Sequence, residues 1–148
     1  MGIRRIAAIS FLNQFIASAL AVLVPLLLLQ RGISIAEIGL ILSVLPLIFL
    51  FARMLFAAIA DQSGFRPFFI LDWMTQALSV AIYLFAGTPF AFLLGKATEG
   101  VRASAFWAVN RTAIFYYAKG KEEKMAVRLS AIRTAGSAIG TAIAGAVA

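Results

Sequence analysis

The chain has 148 residues, of which 63% are hydrophobic and only 13% charged, and it carries a formal charge of +7. Soluble domains are about half apolar and roughly a quarter charged, and a globule this small could not hide so much apolar surface, so an ordinary soluble domain is excluded. Cysteine and histidine are both absent, which removes disulfide frameworks, thiol chemistry, imidazole bases and the usual zinc or haem ligands, and no cofactor is implied.

The first predicted span is Ile6 to Gln30, a stretch of 25 residues without a charge. That is enough to cross a hydrocarbon core of about 30 Å at 1.5 Å per residue. The basic start Met1-Gly2-Ile3-Arg4-Arg5 and the small residues Ala17-Ser18-Ala19 also resemble a signal peptide with its cleavage site. The residues after Ala19 stay fully apolar, whereas a cleaved signal gives way to a polar mature start, and the reading adopted is an uncleaved first span. Asn13 and Gln14 sit mid-way along it; their amides either contact substrate or bond to another helix.

Arg31-Gly32-Ile33-Ser34 forms a polar break, with Gly32 suited to end a helix and Ser34 to cap the next. Glu37 lies three residues after Ser34 and completes a capping-box pattern. The second span covers 35–60, interrupted after Glu37 only by Pro46 and Arg53; a neighbouring helix can satisfy the carbonyl that the proline frees. A charged, glycine-containing turn follows, Asp61-Gln62-Ser63-Gly64-Phe65-Arg66-Pro67. Arg53, Ala57 and Asp61 recur at steps of four and share one helix face. A carboxylate placed there can accept hydrogen bonds from a neighbouring helix N-terminus or pair with arginine, and so act as a latch at one membrane face. The plainer alternative is a solvated loop whose charges only obey topology.

The third span covers 67–86 and carries Asp72 near its start, where pairing with a basic neighbour is the expected role. Gly87-Thr88-Pro89 reads as helix stop, N-cap and first-turn proline. The fourth span, 89–118, holds Lys96, Glu99, Gly100, Arg102 and Arg111 and ends on Tyr116, Tyr117 and Lys119, an aromatic and basic edge suited to a membrane interface. An ionised side chain near mid-bilayer costs about 2.5–3.5 kcal/mol on insertion scales, so three cost on the order of 7–10 kcal/mol. Lys96–Glu99 and Glu99–Arg102 are i,i+3 pairs that partly offset this, with one positive charge left over. Such charges face either a water-filled path or partners inside the bundle.

Lys119 to Lys124 reads as a solvated loop, and a fifth span covers 125–148. There Gly136, Gly140, Thr141, Ala144 and Gly145 place small residues on a stripe that permits close helix approach in lipid. Arg133 in the same span either approaches a cavity or braces Glu99.

The basic residues sort by membrane face. Arg4, Arg5, Arg66, Lys119, Lys121, Lys124 and Arg128 lie at one set of helix ends and Arg31 alone at the other, which puts the N-terminus in the cytoplasm. The pI of about 10.6 therefore reflects membrane topology. The basic residues form no exposed stripe, and no nucleic-acid partner is expected. With five spans the C-terminus falls outside, an odd place for a finished chain to stop.

Three of these segments resemble motifs of the major facilitator superfamily. The turn after the second span is similar to Gly-x-x-x-Asp-Arg/Lys-x-Gly-Arg-Arg/Lys: Asp61, Gly64 and Arg66 match its Asp, second Gly and final basic residue, and Arg53 fits a common form of the pattern. Ala57 replaces the first Gly, Gln62 the first basic residue and Phe65 the middle Arg, which implies a gating loop with fewer charges. Lys96, Glu99 and Gly100 resemble the fourth-helix pattern Arg-x-x-Gln-Gly, whose basic residue is implicated in proton coupling or anionic substrates. Arg102 stands where that pattern prefers a small residue. Gly136, Gly140 and Gly145 resemble the fifth-helix pattern Gly-x-x-x-Gly-Pro-x-x-Gly-Gly, associated mainly with exporters, with Thr141 for Pro and Ala144 for a Gly.

The resemblance covers essentially the whole chain, with the motifs in the family's order. It implies an all-α polytopic bundle corresponding to the N-terminal part of a secondary transporter in the cell membrane. Its partners would be the lipid bilayer, a small-molecule substrate and a complementary C-terminal half or chain. Asn13, Gln14, Lys96, Glu99, Arg102 and Arg133 would line the substrate or ion pathway, with the third helix as peripheral support. Arg53, Asp61, Gly64 and Arg66 would gate, and Gly100, Gly136, Gly140 and Gly145 would serve helix packing. The alternative is a non-transporting membrane protein, either a truncated remnant or a partner-dependent subunit. No nucleotide-binding loop is present, and Asp72 and Glu99 form no recognisable catalytic dyad, so neither an ATP-driven pump nor an enzyme is expected.

Overall fold

A computed structural model describes residues 3–118 and 120–148; of Ile3, Arg111, Phe115 and Tyr117 only the backbone is described. Met1, Gly2 and Lys119, the last being part of the expected cytoplasmic loop, lie outside the described residues. The described residues form five helices, α1 (Ile3–Gln30), α2 (Ile35–Ser63), α3 (Arg66–Phe85), α4 (Pro89–Ala118) and α5 (Glu122–Val147), with no strand. The shortest, α3, has 20 residues, or about 30 Å of helix, the thickness of a hydrocarbon core. Among the described residues α1, α2 and α3 are long and apolar enough to cross a membrane by themselves. α4 carries Lys96, Glu99, Arg102 and Arg111, and α5 is rich in Gly, Ala, Ser and Thr.

Local sequence sets the helix ends. Ser34 caps α2 as expected: its side chain accepts from the Glu37 backbone N–H, and the Glu37 carboxylate accepts from the Ser34 backbone N–H at 3.2 Å. At its other end α2 runs further than the hydropathy suggests, taking in Asp61, Gln62 and Ser63. The Gly64 N–H donates to the Ala60 carbonyl at 2.9 Å, and only there does a φ of +76° stop the helix. The turn is thereby reduced to Gly64 and Phe65. Before α5, the Gly120 N–H donates to the Glu122 carboxylate at 2.6 Å, and this bond holds the Glu122 carboxyl below its usual range.

The chain divides into two compact units, Met1–Arg31 with Ile114–Ala148, and Gly32–Ala113. In the first, α1 and α5 run parallel. A Cβ at Gly136 would lie 2.7 Å from the Phe11 carbonyl oxygen, and one at Gly140 would overlap the Phe15 carbonyl. The two backbones are therefore in step, four residues for four, along a seam where Leu129, Gly136, Gly140 and Ala144 are buried. The Ser18 and Ser137 hydroxyls close that seam at 2.7 Å.

In the second unit, α2 packs parallel to α4. A Cβ at Gly100 would meet the Leu45 carbonyl oxygen at 2.8 Å, and the Ser104 hydroxyl lies 3.0 Å from the Phe49 carbonyl oxygen. α3 runs antiparallel to α4, with Phe69 against Phe106 and Tyr83 against Phe92. The polarity of this unit is inverted relative to a soluble protein. Leu40, Phe51 and Met54 are 66–70% exposed, while Asp72 and Glu99 are 2% exposed. Water as the surrounding solvent would select the opposite arrangement, and lipid selects this one.

Candidate functional site: the α3–α4 charge seam

The buried ionisable groups of the second unit gather between α3 and α4. Lys96, Glu99 and Arg102 lie on α4 at steps of three, and all three are buried. Asp72, Gln76, Ser79 and Tyr83 lie on α3 at steps of four, three and four, one continuous helix face, and all four are buried too.

Glu99 is the junction. Its Oε1 accepts from the Lys96 ammonium at 2.9 Å and from the Tyr83 hydroxyl. The ammonium also lies 5.6 Å from the centre of the Tyr83 ring, a cation–π contact. Gly95 makes this geometry possible, because a Cβ there would overlap the Tyr83 ring. One turn along, the Arg102 guanidinium stands 4.0 Å from the Asp72 carboxylate. The positive charge that α4 cannot neutralise by itself is thus met by α3. Two cations and two anions balance, which lowers the large cost of holding any one of them away from water.

Above and below the charges the seam is closed by rings. Phe69 meets Phe106 edge-on at 6.5 Å, and Tyr83 lies 5.9 Å from Phe92. Burial of this kind lowers the local dielectric, which strengthens the enclosed ion pairs and penalises any polar group left without a partner.

The remaining expected site residues are distributed as follows. Asn13 and Gln14 are half-buried on α1 and Arg133 is half-buried on α5, all in the first unit. The Arg133 Nε donates to the Leu129 carbonyl of its own helix at 3.2 Å. Gly136 and Gly140 lie on the α1–α5 seam, whereas Gly145 is exposed. Gly145 is one residue, about 100° of helix rotation, beyond Ala144, which takes the buried position instead. Gly100 faces Leu45 and Ile48 of α2. Arg53 lays its guanidinium 5.4 Å over the Phe49 ring. Asp61 and Arg66 are exposed at the α2–α3 turn, and among the described residues Asp61 makes no ion pair.

Comparison with known families adds the deciding observation. The family model described as Major Facilitator Superfamily matches residues 6–148. The chain belongs to the major facilitator superfamily. It is accordingly an integral membrane protein of a transporter family, with the lipid bilayer as its solvent and a small molecule as its substrate. No curated protein and no solved structure matches it. For a major facilitator chain, the α3 contribution beyond Asp72 is the feature that the sequence does not display. Tyr83, Gln76 and Gly95 lie inside apolar runs, and their spacing becomes informative only once α3 is known to face α4.

Proposed function

We propose that this chain is the N-terminal part of a secondary active transporter that moves a small solute by alternating access, coupled to a proton or other ion gradient. The observation that carries this reading is the pair of buried ion pairs, Lys96–Glu99 and Arg102–Asp72, in a family of membrane transporters. Ionised groups inside a membrane are retained where a solute or ion needs them, and family members hold substrate near the membrane mid-plane between two helical halves. In this reading Asn13, Gln14, Lys96, Glu99, Arg102 and Arg133 serve the substrate and ion pathway, and Arg53, Asp61, Gly64 and Arg66 form the cytoplasmic gate. The N-terminus lies in the cytoplasm of a cell whose plasma membrane holds the protein, and the complementary half comes from further sequence or a second chain.

The test is a solute screen on the complete reading frame reconstituted in vesicles loaded with a pH-sensitive dye, with and without a pH gradient. Proton movement that depends on one class of added solute, absent from protein-free vesicles, supports coupled transport. Correctly inserted protein that moves no solute under either condition favours the non-transporting alternative.

A further inference from the structure

We propose that α3 and α4 form a proton-operated switch in which Gln76 is the partner that Glu99 takes up when its carboxylate is protonated. This deepens the coupled-transport reading and rests on it for its purpose, though the proton-binding step stands without it.

Three observations meet here. First, the Glu99 carboxylate is held in its ionised arrangement by two donors on one oxygen, the Lys96 ammonium and the Tyr83 hydroxyl. Second, the antiparallel register places the Gln76 and Glu99 backbones at the same height, so that a change of rotamer can bring the two side chains together. Phe69 faces Phe106, Asp72 faces Arg102 and Tyr83 faces Phe92, so each step forward on α3 is a step back on α4. Third, Gln76 is 7% exposed, and both its amide oxygen and its amide nitrogen are buried without a hydrogen-bond partner. The neighbouring hydroxyls do not satisfy it, because Thr75 donates to the Leu71 carbonyl and Ser79 to the Gln76 backbone carbonyl.

A buried amide left this way is costly, on the order of 1–3 kcal/mol, and calls for an occupant or a second state. A carboxylate cannot use both ends of an amide, since it has no proton to give. A carboxylic acid can, because its O–H donates to the amide oxygen while its carbonyl accepts from the amide N–H. Gln76 therefore fits the neutral form of Glu99 as Lys96 and Tyr83 fit the ionised form.

The step balances simply. One proton enters from the aqueous phase and binds a Glu99 oxygen, and the new O–H donates to Gln76 Oε1 while Gln76 Nε2 donates back. Lys96 keeps its own proton, and the Tyr83 hydroxyl is freed. The seam gains one unit of positive charge, now unopposed on Lys96. The other ionised groups facing this point are Arg102 on α4 and Asp72 on α3, which remain paired. α2 meets α4 at Gly100 through Leu45 and Ile48, and its nearest titratable residue in sequence, Arg53, lies over Phe49. Proton binding thus converts a neutral seam into a cationic one, the change needed to bind or release an anion or to favour another conformation.

Infrared difference spectroscopy on the purified full-length protein in lipid, between neutral and acidic pH and with isotope-labelled glutamine, tests this directly. In the parent, a protonated carboxyl band and a shift of a glutamine amide band appear together. Glu99→Gln removes both. Gln76→Met, close in size and shape, keeps the carboxyl band but moves it towards the frequency of an acid lacking a strong hydrogen bond, and abolishes the amide shift. The proposal is overturned if no Glu99-dependent carboxyl band forms while the protein stays folded, or if the Gln76→Met spectrum superimposes on the parent. Should Gln76→Met not insert, a labelled amide band that stays fixed while Glu99 titrates overturns it equally. Because no solute is involved, failure here is distinct from failure of the vesicle screen.

Discussion

Tyr83 and Lys96 come from adjacent antiparallel helices and meet on a single oxygen of Glu99. This junction ties α3 to α4 through side chains that are all buried. Removing one member leaves the others desolvated and unmatched, which is more damaging than removing the pair. Lys96→Met and Glu99→Gln are each expected to destabilise the protein, Lys96→Met by about 3–5 kcal/mol and Glu99→Gln by less, because Gln76 can bond a neutral side chain there. The double variant should lose clearly less than the sum. A double-mutant cycle by reversible unfolding in detergent–lipid mixtures checks this, and strict additivity would show that the two charges act independently.

The same junction depends on an absent side chain. A Cβ at Gly95 would overlap the Tyr83 ring, so Gly95→Ala must displace the ring and weaken its bond to Glu99. A loss of about 1–3 kcal/mol is expected, the usual cost of overpacking. Gly39 is the control, since nothing lies within 4 Å of a Cβ there. Gly39→Ala should be neutral or slightly stabilising because alanine favours the helix. Unfolding measurements that rank the two substitutions the other way would contradict the ring placement.

Much of this architecture could be read from the residues in order. Composition and long uncharged runs give the helices, Ser34 and Glu37 give one cap, and the three motifs give the family. The sequence places Asp72 where a basic neighbour can pair with it, and Arg102 stands 4.0 Å away. What stayed hidden depends on which helix faces which. Tyr83 lies between Ile82 and Leu84 and reads as span filler, and Gln76 reads as one more tolerated polar residue. Their shared face with Asp72 is plain in the numbering, but its meaning comes from the α4 charges opposite. The end of α2 lies beyond the hydropathy boundary for a local reason. Asp61, Gln62 and Ser63 are polar and suggest a loop, yet the helix continues until the backbone reaches the glycine that can turn it.

The α1–α5 seam offers a test that the sequence makes unusually clean, because the chain has no cysteine. The Ser18 and Ser137 hydroxyls lie 2.7 Å apart, so Ser18→Cys with Ser137→Cys should form a disulfide under mild oxidation, visible as a reductant-sensitive mobility shift. Adding Gly140→Ala places a methyl group against the Phe15 carbonyl and should slow the crosslink and cost about 1–3 kcal/mol. Gly145→Ala, on the exposed side of α5, should leave both unchanged. Equal effects of the two alanines would mean that the small-residue stripe does not set the distance between these helices.

Asp61 poses the opposite case, a motif residue that is exposed and among the described residues makes no ion pair. If its role is to latch one conformation of the transport cycle, its contribution belongs to a different state and not to the stability of this one. Asp61→Asn should therefore change unfolding free energy by no more than about 0.5 kcal/mol and leave membrane insertion intact. Solute flux through the full-length protein should nevertheless fall about tenfold, the effect of losing one charge-assisted hydrogen bond in a single conformation. Asp61→Glu, which keeps the charge, should recover part of the rate. Flux kinetics identical to the parent in Asp61→Asn would reduce the residue to a solvated topological charge, the plainer reading of that turn.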